Sequence, residues 1–466
     1  AKCRSTWNPP TPAKPRRNNR GRGQADEERR RHLRRRHHRR RRKWARRGDH
    51  RSARRRRCCI VEADVEAGLG ILATGNGRCN ISNARLAPRH FLHEDAARAM
   101  FGAHAERDIA DFFERLGLML AEEGEGRLYP VTRRAESVRD VLLNACSRLG
   151  VDILTCATVS HAAPCTSPSG YWDLTLSVPA AALSFKQGRD AKARVRNARK
   201  ALAVAERTER TLHARRVIIA VGGRSASTCE VFRLAHLNEI PVLCPIACEI
   251  DSNAPGATRH ALALEHLDGL RVEGALSLMR EGAVIASEAG EVLFRPYGIS
   301  GIAALNLSRR IEPGDIIELD LFPSLGQADM TELLRSRASS IGSYCGDASW
   351  FDGLVARPLA SLLCAMLNDS ADPMAHAATL LHHLRFRVHG ATEHAQAHIH
   401  RGGIPLSSVN LETCGIVSFH DGTSPSGLFA CGEALDMDAD CGGYNLAWAW
   451  ASGMRAGLYA SKGTSC

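Results

Sequence analysis

The segment from Gly427 to Gly457 constrains this chain more than any other. An apolar strand, Gly427-Leu428-Phe429-Ala430-Cys431, delivers Gly432 and Glu433 to its carboxyl end. A stretch holding Asp436, Asp438 and Asp440 follows, and Gly442-Gly443 then opens an apolar helix from about Tyr444 to Ala460. Glycines at such a turn let the backbone approach a ligand closely. A helix N-terminus adds unpaired N–H groups and a partial positive charge. Small and aromatic residues, Ala447 to Ala451 and Gly453, suit close packing of that helix on a sheet. A second apolar strand, Arg216–Val221, reads as buried and ends in Gly222-Gly223, where the chain can turn tightly beside a cofactor or simply pass from strand to helix. Strand, glycine turn and helix, repeated with large insertions, is the pattern of an α/β nucleotide-binding domain interrupted by smaller domains.

Two features nearer the start of the chain fit that pattern. Cys59–Ala63 reads as a short buried strand, and Glu62 stands at its end. An acid there can accept hydrogen bonds from ribose hydroxyls, or it can be an ordinary surface Glu. Ile71–Ala73 then leads into the loop Thr74-Gly75-Asn76-Gly77-Arg78-Cys79-Asn80-Ile81-Ser82-Asn83. Its glycines allow close backbone approach to a flat or phosphorylated ligand. Arg78 offers a fork for phosphate, and Asn76, Asn80 and Asn83 offer amide donors and acceptors for a heterocycle.

Together these stretches are similar to the YhiN/BaiN-like family of flavoproteins, also described as aminoacetone-oxidase-type enzymes. The matching segments are Ile71–Asn83, Gly126–Pro130, Val217–Gly223, Tyr297–Arg309, Gly314–Pro323, Arg401–Asn410 and Gly427–Gly457, in the family's order. The resemblance implies a Rossmann-like FAD-binding domain built from both ends of the chain, with an inserted β-barrel-like domain and a small helical domain. It gives Glu62 the ribose role. Gly75, Asn76, Gly77, Arg78 and Asn80 take the loop role, with Gly222 and Gly223 at the strand turn. Gly432, Glu433, Asp436, Gly442, Gly443, Asn445 and Leu446 take the flavin and ribityl role.

The expected organisation is an Arg-rich disordered tail at 1–58 and a first part of the FAD domain at 59–229. A β-rich insertion follows at 230–328, a helical insertion at 329–385, a return strand at 386–396 and the second FAD part at 397–466. Within it, helices are expected at about Glu94–Leu120 and Ser137–Leu149, and Lys186–Arg210 reads as an exposed helix or a ragged insertion. Charge separates the tail from the rest. Residues 1–57 hold 25 Lys and Arg against 4 Asp and Glu, whereas the remainder holds 38 against 46. Such a segment has no apolar face to bury. No apolar run approaches the length of about 18 residues that a membrane span needs, and no apolar segment follows the basic start as in a secretory signal. The expectation is therefore a cytoplasmic enzyme. The 16 cysteines show no zinc spacing and read as reduced, buried thiols.

Members of such families open with a strand and G-x-G-x-x-G. Here that region is Arg-rich, with only Gly21 and Gly23 forming a G-x-G. A shifted reading frame upstream of Cys59 is the hypothesis; if neither of the other two frames encodes a strand and G-x-G-x-x-G, it fails. The loop Arg224–Glu230 also departs from the family pattern, and Ala439 replaces a usual glycine.

The function implied is flavin-mediated hydride transfer to or from a small organic substrate, with NAD(P)H, dioxygen or an organic compound as electron partner. His398 and His400 are the candidate acid–base groups, or they line a strand at a domain boundary. Cys79 and Cys441 sit inside flavin motifs, as a redox pair or as small buried thiols. The competing reading is a relic that no longer binds FAD, with a tail that binds nucleic acid through charge alone. No metal site and no membrane partner are expected, and oligomeric state is open.

Overall fold

A computed structural model describes residues 57–102, 105–164, 172–251, 263–341, 347–367, 372–392 and 399–462. The expected tail, but for its last two residues, lies outside the described residues, as does His398. Residues 58–466 form one compact unit, and its architecture is a Rossmann-like α/β domain carrying a small barrel.

The α/β part holds short parallel pairings. Strand Cys59–Val61 pairs in parallel with Asp152–Leu154, with Cys59 opposite Asp152. Strand Leu428–Ala430 pairs in parallel with Val217–Ile219, so residues two hundred apart in sequence form adjacent strands. That second pair continues through Gly415–Ile416 and Val409–Asn410 into a four-stranded sheet. Helix Tyr444–Ser461 packs on it through Ala447, Trp448 and Ala456, all buried. A three-stranded antiparallel sheet, Thr158–Pro164, Trp172–Pro179 and Arg207–Ala214, flanks this domain.

Six strands close into a barrel: Ile246–Ile250, Gly298–Ser300, Ala283–Arg295, Arg271–Arg280, Ile316–Asp320 and Leu384–Ala391, in that spatial order. Alternating residues fill it, with Ile246, Leu276, Leu278, Phe294, Ile317 and Phe386 all buried. This follows from the period-2 geometry of a strand with one face inward. The helices Gln327–Ile341, Arg357–Leu367 and Pro373–His382 add Met330, Leu334, Leu363 and Leu381 to the same core. The strand Leu384–Ala391 returns the chain to the barrel.

Several local expectations need correction. The expected helix Glu94–Leu120 is two, Glu94–Phe101 and Ala105–Leu116, because Gly102 adopts a positive φ of 58° that ends the first. Residues Leu69–Gly77, which run into the glycine loop, form 3₁₀ turns with no fully buried residue. The strand expected at Arg216–Val221 is only Val217–Ile219, with Ile218 and Val221 exposed. The segment Lys186–Arg210 resolves into helix Ala191–Ala203, capped by Asp190, and the start of a strand.

Candidate functional site

The loop 74–83 is locked by its own backbone. Gly75, Asn76, Gly77 and Cys79 all take left-handed φ values between 54° and 81°, a conformation that costs little only at glycine and asparagine. A Cβ on Gly75 would stand 2.9 Å from the Asn80 amide nitrogen, so the turn closes only with glycine there. Arg78 does not point to open space. Its Nη2 lies 2.6 Å from both oxygens of Glu123, and its guanidinium lies 4.3 Å from the centroid of the Tyr129 ring. Arg133 reaches the same carboxylate at 2.5 Å.

The C-terminal motif is held with equal care. Cys431 N donates to Ile219 O at 3.0 Å, extending the parallel pair to the turn. Gly432, at φ 69°, donates to Ser452 Oγ at 2.9 Å and accepts from Trp448 Nε1 at 3.1 Å. The first turns of the long helix thereby clasp the strand end. Gly223 meets Glu433: a Cβ there would overlap the carboxylate. Glu433 Oε1 accepts from His400 N at 2.8 Å, and the His400 ring, itself buried, lies 3.8 Å away. Burial holds the Glu433 carboxyl above the usual carboxylate range. His400 sits in strand Ile399–Gly403, paired with Pro241. Gly222 supplies a left-handed turn at φ 76°. Asp436 accepts from Gly402 N at 3.0 Å and lies 3.3 Å from His93 Nε2. Asn445 braces the acidic loop by accepting from Ala439 N at 2.9 Å and donating to Ala439 O at 2.8 Å. Leu446 packs partly buried against the core.

The loop and the Gly442-Gly443 turn meet directly. Asn83 Nδ2 donates to Gly442 O at 3.0 Å and to Glu125 O at 3.1 Å. Trp450 Nε1 donates to Ile81 O at 3.0 Å. A Cβ on Gly443, which has φ 98°, would stand 2.5 Å from Ser82 O and 2.8 Å from Asn80 Oδ1. At this junction Asn80 Oδ1 and Ser82 Oγ are buried with no hydrogen-bond partner among the described residues. An unpaired buried polar atom is costly, so the junction has hydrogen-bonding capacity for a polar group held between the two segments. Glu62 stands apart: its carboxylate accepts from Asp64 N at 2.9 Å, a local bond at the strand end.

Sequence reasoning missed an ion network behind this junction. Asp438 is fully buried. Its carboxylate accepts from Arg401 Nε at 2.6 Å and from Arg309 Nε, and Arg309 also pairs with Asp440. Burial alone would raise the Asp438 carboxyl, but Arg401 and Arg309 hold it below the ordinary range. His90 Nδ1 lies 3.0 Å from the other oxygen of Asp440. Asn306, from the helix Ile302–Leu307 after the barrel strand, accepts from Cys441 N at 2.8 Å and donates to Glu288 at 3.0 Å. The signal available in sequence was the alternation Asp436, Asp438, Asp440, with Arg309 and Arg401 inside matched motifs.

Of the two cysteines in the flavin motifs, Cys79 is buried and Cys441 half-buried. Burial pushes the Cys79 thiol up, and pushes Cys441 up to about 12. No group of three or more His, Cys, Asp or Glu among the described residues is arranged to hold a metal. No helix among them is long and apolar enough to cross a membrane.

Comparison with known proteins places this geometry. A family described as HI0933-like protein Rossmann domain matches residues 49–169 and 174–459. A 3-dehydro-bile acid delta(4,6)-reductase of Clostridium scindens is 25% identical over 431 residues, covering 86% of this chain and 92% of its own. A ribosomal RNA dihydrouridine synthase of Haemophilus influenzae is 22% identical, covering 85% and 90%. A flavocytochrome c3 fumarate reductase in its open conformation is similar at 13% identity and a TM-score of 0.34, covering 87% of this chain and 78% of that one.

Proposed function

The chain belongs to the HI0933-like Rossmann family and is a flavin-dependent oxidoreductase; from that premise we propose that it uses FAD to saturate a carbon–carbon double bond conjugated to a carbonyl in a small organic substrate. The observation that carries the cofactor part is the junction of the two glycine segments. Asn80 Oδ1 and Ser82 Oγ are buried polar atoms without a hydrogen-bond partner among the described residues, set against Gly443 where any side chain would intrude. That arrangement fits a planar group with polar edges. The substrate part is supported by the relative named as a 3-dehydro-bile acid delta(4,6)-reductase.

When bound, the flavin supplies the two-electron chemistry. The residues of this chain divide the remaining work. Gly75, Asn76, Gly77 and Asn80 bring backbone and amide groups to the cofactor. Gly432, Gly442 and Gly443 keep the opposite wall free of side chains, and the helix beginning at Tyr444 presents its N-terminus to that wall. Arg78, tied to Glu123, stiffens the loop rather than reaching for phosphate. Glu433, with Gly223 beneath it, and Asp436 stand where ribityl or ribose hydroxyls would be recognised, with Glu62 in reserve for the adenosine ribose. Asp438, Arg309 and Arg401 hold the acidic loop on the barrel. NAD(P)H is the proposed electron donor.

The test is direct. The full chain is purified and its absorption recorded over roughly 350–500 nm, the flavin window, before and after incubation with FAD. A flavin spectrum that survives gel filtration is expected. A colourless chain that takes up no FAD overturns the reading, and retention on RNA at moderate salt would then favour a relic acting through its Arg-rich segment. Reduced enzyme mixed anaerobically with 2-cyclohexen-1-one should reoxidise as the saturated ketone forms.

A further inference from the structure

We propose that the helix Ala191–Ala203 carries a row of cations that binds the phosphate backbone of an RNA strand, an interaction independent of the double-bond reading above. Residues 186–200 hold seven Lys and Arg against one acid, whereas the chain beyond residue 57 is acidic on balance. That one acid, Asp190, is spent as the helix cap: its carboxylate accepts from Ala193 N at 2.7 Å. No acid stands within the helix, so no ion pair between positions four apart can form along it.

The helix sorts its cations by side. Val195, Ala198 and Leu202 face the protein, with Ala198 buried and the other two half-buried. Two arginines flanking that seam are anchors. Arg194 Nη2 lies 2.5 Å from Glu66 Oε1, and Arg199 pairs with both oxygens of Asp64. Lys192, Arg196 and Lys200 recur at every fourth position on the outer side, and all three are exposed. None of them has an ion pair or a hydrogen bond from its side chain among the described residues. At 1.5 Å of rise per residue they stand about 6 Å apart along the axis. The stretch before the helix folds back beside it. Asn197 Nδ2 donates to Lys186 O at 3.0 Å, and a Cβ on Gly188 would stand 2.7 Å from Arg194 N. The exposed Lys186 and Arg189 thereby join the same surface.

Like charges four positions apart oppose helix formation. A polyanion removes that repulsion and gains free energy from the counterions it releases. A row of point charges with no aromatic side chain among them holds the sugar–phosphate chain and does not read bases. A flexible single strand can lay successive phosphates along the row, and the single strands of cells are chiefly RNA. An anionic membrane would also meet the charge, but a helix lying in the lipid interface needs its apolar side turned to the lipid. Here that side is turned to the protein, and the exposed Val204 at the C-cap stands alone.

The experiment titrates the full chain and its Lys192→Gln/Arg196→Gln/Lys200→Gln variant with polyuridylate at several salt concentrations. The Arg-rich segment is present in both proteins, so the difference between them belongs to the helix. Losing three single-strand phosphate contacts should flatten the slope of log affinity against log salt by about 2. Wild type should therefore lose about 16-fold more affinity than the variant between about 50 and 200 mM salt. Bound polyuridylate should also shield Lys192 and Lys200 of wild type from acetylation, read by peptide mass spectrometry. Equal slopes, or equal acetylation of both lysines with and without the polymer, overturn the proposal. Binding of phosphatidylserine vesicles with no hold on polyuridylate overturns it in favour of a membrane. The three side chains are exposed, so the urea midpoint of the variant should match wild type; if it falls, shielding of the two lysines in wild type decides.

Discussion

Replacing Asp438 by Asn should destabilise the folded body by about 3 kcal/mol, near the low end of the 3–5 kcal/mol cost of breaking a buried ion pair by removing one partner. The magnitude follows from the contacts. Asp438 is 0% exposed and Arg309 only 3%, so neither guanidinium nor carboxylate has water to fall back on. The amide keeps one accepting oxygen, but its NH2 replaces the other and turns N–H donors toward a guanidinium that needs an acceptor. Arg309 keeps Asp440, and Arg401 is 22% exposed. Both facts soften the loss and select the low end of the range. With a urea slope of about 3 kcal/mol/M, the unfolding midpoint should fall by about 1 M. The buried Trp172, Trp350 and Trp448 provide a fluorescence signal for that measurement. The effect has a pH signature. The folded pKa of Asp438 lies below its ordinary value of 3.8, so its contribution is complete above about pH 5 and disappears as pH falls through the lower folded value. The gap between wild type and variant should therefore be constant from neutral pH down to about pH 5 and close below that. A midpoint unchanged at pH 7 would refute the view that this network carries the acidic loop.

Three further outcomes are expected. Gly443→Ala combines a left-handed backbone with a Cβ against Ser82 O and Asn80 Oδ1. It should cost about 2–4 kcal/mol and lower FAD affinity measured by fluorescence titration; retention of both stability and affinity would count against a close-fitting junction. Glu433→Gln should leave stability unchanged below the ordinary carboxylate value of 4.5 and raise it at higher pH, because the native pKa is elevated and the ionised form is disfavoured in the fold. Urea midpoints measured from pH 4 to 8 check this, and parallel curves would contradict it. Cys441, with its thiol near 12, should resist iodoacetamide in the native state while the exposed Cys58 reacts, as read by peptide mass spectrometry; equal labelling would argue against the burial that raises it.

The parts of the site legible in sequence are those that depend on single residues. Gly75, Gly432 and Gly443 announce positive φ because only their lack of a Cβ makes those turns cheap, and the structure places all three there. What could not be read is pairing across distance. Arg78 looks like a phosphate ligand until Glu123, 45 residues on, takes its guanidinium. Arg309 and Asp438 are 129 positions apart, and neither alone distinguishes a buried bridge from a surface charge. The barrel shows the same division. Short apolar runs mark its strands, but the closure of Ile246–Ile250 onto both Gly298–Ser300 and Leu384–Ala391 depends on registers that no local pattern records. The break at Gly102 was legible in principle, since a lone glycine in a helical pattern weakens the helix and can serve as its C-cap.

The bond from Asn83 Nδ2 to Gly442 O spans 359 residues. Between these two partners the chain runs through the whole barrel and its helices, which are made before the Gly442 turn can meet the glycine loop. Assembly of the site therefore requires the closure of a very long loop. A nascent chain stalled before Gly442 would have the barrel strands and no junction, so competence to take up cofactor reports that synthesis has passed this turn.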